Sequence, residues 1–231
     1  EYYPMDKSNV QSYHYFMQEH LFKYVDIRPE NIHIPDGKIG AEVLNDYCVD
    51  YEMKIKSFGG IDFQLLGIGR TGHVGFNEPG SHLNSGTRKI ILDHITRIDA
   101  SPAFLGLANV PRSAITMGIS TVKSAKRIVL LAWGGDKAEI LRETIEGEIS
   151  AQVPASYLQM HGNTTFILDQ GAAAELTRVK TPWLVTSCLW NESLKLKAVV
   201  WLSELMNKSI LKLTDKDYNN NGMSGLLTQE G

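Results

Sequence analysis

Between positions 65 and 81 the chain reads Leu65-Leu66-Gly67-Ile68-Gly69-Arg70-Thr71-Gly72-His73-Val74-Gly75-Phe76-Asn77-Glu78-Pro79-Gly80-Ser81. No other stretch limits the fold and its chemistry as much. An apolar strand over 61–68 runs into a turn too rich in glycine and proline for a helix to continue it. The turn delivers His73 and, five residues later, Glu78. Glycines let a backbone approach a ligand closely and leave N–H groups free for anions. The carboxyl end of a strand is where open α/β sheets build their sites. The pattern predicts acid–base work on a small anionic substrate. Gly67, Gly69 and Gly72 also spell G-x-G-x-x-G, but a dinucleotide fingerprint must open a helix. Gly75, Pro79 and Gly80 forbid one here. The plain alternative is a structural turn that carries a surface histidine.

Of the 231 residues, 43% are hydrophobic and 21% charged, which fits one globular domain plus a tail. The net charge of −3 offers no basic face, which argues against nucleic acid as a partner. Cys48 and Cys188 lie far apart without metal-ligand spacing and read as reduced, buried thiols of a cytoplasmic protein. No apolar run approaches the ~18 residues of a membrane span, and no signal peptide is visible. The first residue is Glu1 rather than Met, so a processed product or a piece of a longer polypeptide is expected.

Helical spacing of Tyr13, Phe16, Met17 and Leu21 predicts a helix over 11–25, with Ser12 as its cap. Val43, Leu44, Tyr47, Tyr51 and Ile55 predict a second over 40–58, stopped by Gly59-Gly60. Strands are expected at 61–68 (buried), 88–92, 114–117, 127–133 and 164–168. The run from Arg127 to Trp133 reads as a parallel strand covered on both faces. Helices are expected at 120–126, 137–145, 154–159 and 172–176. This alternation argues an α/β fold with a mostly parallel sheet. Beyond Thr186 the leucine pattern fits one or two further helices, and 217–223 reads as a loop or linker.

The residues now carry a resemblance. Gly67-Ile68-Gly69-x-x-Gly72-His73-x-x-Phe76-Asn77-Glu78-Pro79 resembles the signature of glucosamine-6-phosphate deaminases. Collinear stretches resemble the same family: Gln11-Ser12-Tyr13 with Phe16-Met17, positions 25–32, Ala114 to Gly118, Gly135 to Ala138, Ile145-Glu146-Gly147, Ser156 to His161 and Leu176 to Thr181. Together they span positions 1 to 182. The resemblance implies a Rossmann-like three-layer sandwich, incomplete at its N-terminus, over 1–185, with a helical extension and linker over 186–231. It implies conversion of glucosamine 6-phosphate to fructose 6-phosphate and ammonia without metal or organic cofactor. His73 would open the sugar ring, since an imidazole titrates near pH ~6.5 and can move a proton either way. Glu78 would orient it, with Thr71 beside them. Gly67, Gly69, Arg70, Gly72 and Asn77 would contact substrate, and Lys137 would take the phosphate. Partners would be the sugar phosphate, a further domain of a longer polypeptide, and copies of the chain if it is a homo-oligomer.

The chain departs from the family pattern in three places. The family's proton-shuttling aspartate would fall immediately before Glu1 and its phosphate-loop glycines further upstream, so the sheet is expected to lack its first strands here and to show an apolar edge. An aspartate expected two residues before the histidine is Thr71, which brings no charge and orients His73 less firmly. The phosphate-binding arginine aligns near Pro102, which has no donor; Arg97 and Arg88 are the nearby substitutes. The family's allosteric lysine and tyrosine align with Ile90 and Leu184, so no activation by N-acetylglucosamine 6-phosphate is expected. Two other readings compete. One is a 6-phosphogluconolactonase-like hydrolase, against which Phe76-Asn77-Glu78-Pro79 argues. The other is a non-catalytic sugar-phosphate-binding homologue, which Thr71 and Pro102 favour. His14, His20, His33, His82, His94 and His161 show no metal spacing. His161 reads as a satisfied structural histidine, and Trp183, Trp190 and Trp201 as apolar anchors.

Overall fold

The computed structural model describes residues 1–228. The chain forms two compact units, Glu1–Ala172 and a second from Ala173 onward; the expected boundary at 185/186 falls inside the second.

In the first unit the order is β1 (Tyr2–Tyr3), α1 (Tyr13–His20), α2 (Leu44–Ser57), β2 (Phe63–Leu66), β3 (Arg88–Ile91), α3 (His94–Ala100), β4 (Ser113–Thr116), α4 (Ile119–Lys123), β5 (Arg127–Ala132), α5 (Ala138–Glu146) and β6 (Thr164–Leu168). Strands β2, β5 and β6 form a parallel sheet in the order β2-β5-β6, with Leu66 opposite Leu130 and Leu130 opposite Phe166. Val129 of β5 is buried on one face of that sheet, and the other carries the main core. Leu66, Ile128, Leu130 and Ala132 are buried there with Ile119, Val122, Leu141 and Leu158. Strands β1, β4 and β3 form a second, antiparallel sheet. Burial and alternation had no means of separating it from the first, because antiparallel pairing is decided by chain direction and not by composition.

Several elements differ from the sequence reading. Strand β2 is not buried: Phe63 and Leu65 are each more than half exposed, as is Ile167 on β6. All three point to the face opposite Leu66 and Leu130. Strand β5 is covered on both faces as expected, with Val129 buried on one and Ile128, Leu130 and Ala132 on the other, but Trp133 just beyond its end is 70% exposed. The first helix is shorter than 11–25. Leu21 leaves helical geometry, and one 3₁₀ turn over Phe22–Tyr24 follows. Residues 40–43 are turn, so α2 begins only at Leu44. The helix expected at 120–126 runs instead from Ile119 to Lys123, behind Gly118. Residues 172–176 are turns, not helix.

The second unit holds α6 (Thr177–Lys180), α7 (Glu192–Met206), α8 (Asp215–Asn220) and α9 (Ser224–Thr228). Trp183, Ala198, Leu202, Met223 and Leu226 form its core, with Trp190 and Trp201 packed against them. The anchoring expected of the tryptophans holds. The segment expected as a loop at 217–223 is instead largely α8. Thr214 accepts from the Asp217 N–H while Asp217 accepts from the Thr214 N–H, a capping box that the asparagine-rich composition hides. No helix among the described residues is long and apolar enough to cross a membrane. Cys48 is buried and Cys188 only half-buried, and both thiols are free. His161 is satisfied as expected, between the Ala125 carbonyl at 2.7 Å and Thr164 Oγ1 at 3.1 Å.

Replacing Thr214 with alanine removes one half of that box. Chemical unfolding followed by tryptophan fluorescence should show about 1 kcal/mol of lost stability. An unchanged midpoint would mean that α8 forms without its cap.

Candidate active site

The glycine turn closes on itself before it offers any group to a ligand. Gly69 N–H donates to the His73 carbonyl and Gly72 N–H to the Gly69 carbonyl, each at 3.0 Å. These two donors are therefore spent inside the turn, and the free anion-binding N–H groups expected of it are not available at Gly69 and Gly72. What the glycines supply is space. A Cβ on Gly69 would overlap the His73 imidazole, so the ring lies directly against that residue. Gly72 adopts φ +76°, and its Cβ would come within 2.8 Å of Val153. Its carbonyl accepts from Ala155 N–H at 2.8 Å, which ties the turn to the segment after α5.

His73 Nδ1 is surrounded. Thr71 Oγ1 lies 2.9 Å away, Thr96 Oγ1 3.2 Å and Glu78 Oε2 3.4 Å. Thr71 Oγ1 donates in turn to Glu78 Oε2 at 3.4 Å, and Asp93 N–H donates to Glu78 Oε1 at 3.2 Å. Burial alone would push the Glu78 carboxyl up. The hydrogen bond and charge of His73, with the donors on Thr96 and Asp93, outweigh it and hold the carboxyl below its ordinary value. Glu78 is thus an ionised carboxylate, 4% exposed, reached from Nδ1 through hydroxyls. This geometry assigns the Nδ1 proton to the Thr71 side and leaves Nε2 without a partner among the described residues. Thr71 does not merely lack a charge, as the sequence reading had it; it bridges the ring and the carboxylate.

Thr96, which the sequence reading missed, sits on α3 one turn after Asp93, and Asp99 follows at the same spacing. Asp93 N–H meets Glu78, Thr96 meets His73, and the Asp99 carboxylate takes Arg70 Nε at 3.0 and 3.1 Å and also Nη2. Helix α3 with its N-cap therefore positions three residues of the turn, Asp93 through its backbone N–H and Thr96 and Asp99 through side chains three residues apart.

A cleft of about 470 Å³ opens beside the imidazole, lined by Gln64 to Gly69, His73, Gly75, Phe76 and Thr116 and also by Glu1 and Tyr13. Gly67, Gly69 and His73 are in its wall. The Glu1 carboxylate accepts from Tyr2, Tyr13 and His14 N–H groups and caps α1, which leaves it no role as a free base. Asn77 is not brought to the cleft. It is fully buried, its amide donates to the Val74 and Met117 carbonyls, and its oxygen accepts from Arg88. Arg88 also holds Ser81, and Arg97 donates to the Leu107 and Val110 carbonyls. Both arginines proposed as substitutes at Pro102 are therefore committed to holding backbone and turn. Lys137, in a 3₁₀ turn after β5, is mostly buried and lies 3.6 Å from Asp136.

A carboxyl held below its ordinary value contributes stability that is complete above about pH 4.5 and is lost as pH falls through the folded-state value. Glu78→Gln should accordingly flatten the loss of stability on acidification below about pH 5, measured by unfolding at several pH values. An unchanged acid slope would mean that Glu78 is not ionised in the fold.

Comparison with known proteins gives the site its relatives. Residues 4–167 match the model of the glucosamine-6-phosphate isomerases/6-phosphogluconolactonase family. A glucosamine-6-phosphate deaminase-like protein of Bacteroides thetaiotaomicron is 52% identical over the whole chain, which spans 35% of that protein's length. A glucosamine-6-phosphate deaminase of Clostridium novyi is 46% identical over 76% of this chain and 72% of its own. The solved structure of a monomeric glucosamine-6-phosphate deaminase superposes with a TM-score of 0.73 at 42% identity, over 76% of this chain and 72% of that one. The chain belongs to the glucosamine-6-phosphate isomerase/6-phosphogluconolactonase family.

Proposed function

We propose that this chain carries the catalytic centre of a glucosamine-6-phosphate deaminase, which turns glucosamine 6-phosphate and water into fructose 6-phosphate and ammonia. The observation that carries the reading is the imidazole of His73. It is seated on Gly69, its Nδ1 is held by Thr71, Thr96 and Glu78, and it faces a cleft of about 470 Å³, room for one sugar phosphate. The relatives named as glucosamine-6-phosphate deaminases support the choice of substrate.

With Nδ1 anchored, Nε2 is the atom free to exchange protons with the sugar. It takes the proton from O1 and returns one to O5, which opens the ring. Glu78, ionised and buried, stabilises the imidazolium formed in between. A carboxylate then carries the C2 proton to C1 through an enol-type intermediate. Water adds at C2 and ammonia leaves. The Glu1 carboxylate is bound to three N–H groups and does not serve; the resemblance puts that base immediately before Glu1. Every step is a proton transfer or a hydration, which side chains and water supply. Lys137 is the cation we assign to the phosphate. Free thiols at Cys48 and Cys188 fit a reducing compartment, the cytoplasm.

Ammonia release from glucosamine 6-phosphate by the full-length protein tests the reading. His73→Ala should lower it by about 10²-fold or more; release that persists in the variant would place the chemistry elsewhere. Thr96→Val should lower kcat roughly ten-fold with KM nearly constant, and Thr96→Ser should restore it, because the hydroxyl acts through the imidazole. Equal loss in both variants would reduce Thr96 to a packing residue.

A further inference from the structure

An anionic substrate needs cations that are not already spent. Arg88 is held by Asn77, Gly86 and Ser81, Arg97 is turned onto the Leu107 and Val110 carbonyls with its Nε buried without a partner, and position 102 is proline. Arg70 is the guanidinium that the turn itself carries, directly after Gly69 in the cleft wall. Its side chain is 45% exposed. Asp99 holds one edge of its fork through Nε and Nη2, which leaves Nη1 without a partner among the described residues. Asp99 in turn answers to more than Arg70. Its carboxyl is held below the ordinary range first by the hydrogen bond from Arg70 and then by the charges of Arg70, Lys137 and His73. Arg70 also feels Asp136, the partner of Lys137. Arg70 with Asp99 and Lys137 with Asp136 are thus two cation–carboxylate pairs that feel one another's charge, and an anion would bind to them by competing with the carboxylates.

We propose that Arg70, oriented by Asp99, is the specificity-determining cation of this site and reads the substrate's phosphate together with Lys137. The proposal rests on the reading of the cleft as a sugar-phosphate site. A guanidinium fixed along one edge presents its remaining N–H groups in a set direction, which suits an oxyanion better than a freely turning ammonium does. The arrangement makes the turn serve twice: His73 meets the sugar ring, and three residues earlier Arg70 meets the anionic end. Helix α3 holds both, through Thr96 and Asp99.

The test uses the full-length protein with Arg70→Met, Arg70→Lys and Asp99→Asn, and two readouts. The first is the kinetics of ammonia release from glucosamine 6-phosphate and from unphosphorylated glucosamine. The second is the binding of inorganic phosphate by calorimetry. Loss of one charge-assisted contact corresponds to about ten-fold or more in affinity. Arg70→Met should therefore raise KM for the phosphorylated sugar and weaken phosphate binding by at least about ten-fold, with a much smaller change in kcat. The preference over unphosphorylated glucosamine should shrink in proportion. Arg70→Lys should recover part of the loss, and Asp99→Asn should fall between wild type and Arg70→Met. Turnover and phosphate binding that are both unaffected in Arg70→Met would overturn the proposal and leave the deaminase reading standing. Phosphate binding that is lost in Arg70→Met, in a protein whose wild type releases no ammonia, would support Arg70 and contradict the deaminase reading. A wild type that neither binds phosphate nor releases ammonia overturns both.

Discussion

The contact between the His73 ring and the bare backbone of Gly69 is the constraint from which the rest follows. With any side chain at position 69 the imidazole would have to leave, and with it the only arrangement in which Nδ1 meets Thr71, Thr96 and Glu78 together. The turn is closed by its own hydrogen bonds and anchored by Gly72 to Ala155. It is therefore a rigid seat rather than a flexible ligand loop, and rigidity is what the proton transfer proposed for His73 requires. A buried carboxylate behind the imidazole then becomes affordable, because the donors around Glu78 offset the loss of water.

Much of this centre could be read from sequence because glycine, histidine and glutamate occur there in a spacing that excludes a helix. His73, Glu78 and Thr71 are contiguous in the chain, so their meeting needs only a tight turn. Thr96 could not be found that way. It comes from a helix 23 residues downstream, and a single threonine in an amphipathic pattern carries no mark of its partner. Asn77 errs in the opposite direction. A polar residue inside a motif invites a role at the substrate, yet its amide is fully used in bracing the backbone on both sides of the turn.

The fold shows the same division. Apolar runs located β2, β5 and β6, and their parallel register sets the carboxyl ends of β2 and β5 on one side, where the turn and Lys137 follow. Which strands would pair antiparallel depends on the path of the loops, and hydropathy does not record it. Exposure was misjudged at Phe63, Leu65 and Trp133 for a related reason: an apolar strand states that it can be covered, not that this chain covers it. At α8 the error lay in weighing three asparagines above Thr214 and Asp217, whose reciprocal cap decides the local structure.

The hydroxyl bridge between imidazole and carboxylate makes a claim about one proton. With Glu78 ionised and Thr71 between the two groups, neutral His73 carries its hydrogen on Nδ1 and keeps Nε2 bare toward the cleft. Nitrogen-15 NMR of the histidine side chains, assigned through His73→Ala, reads this directly. The account predicts a protonated Nδ1 and an unprotonated Nε2 in the neutral ring. A neutral ring protonated on Nε2 would contradict it, since the cleft would then face a donor in place of the base that the proposed ring opening needs.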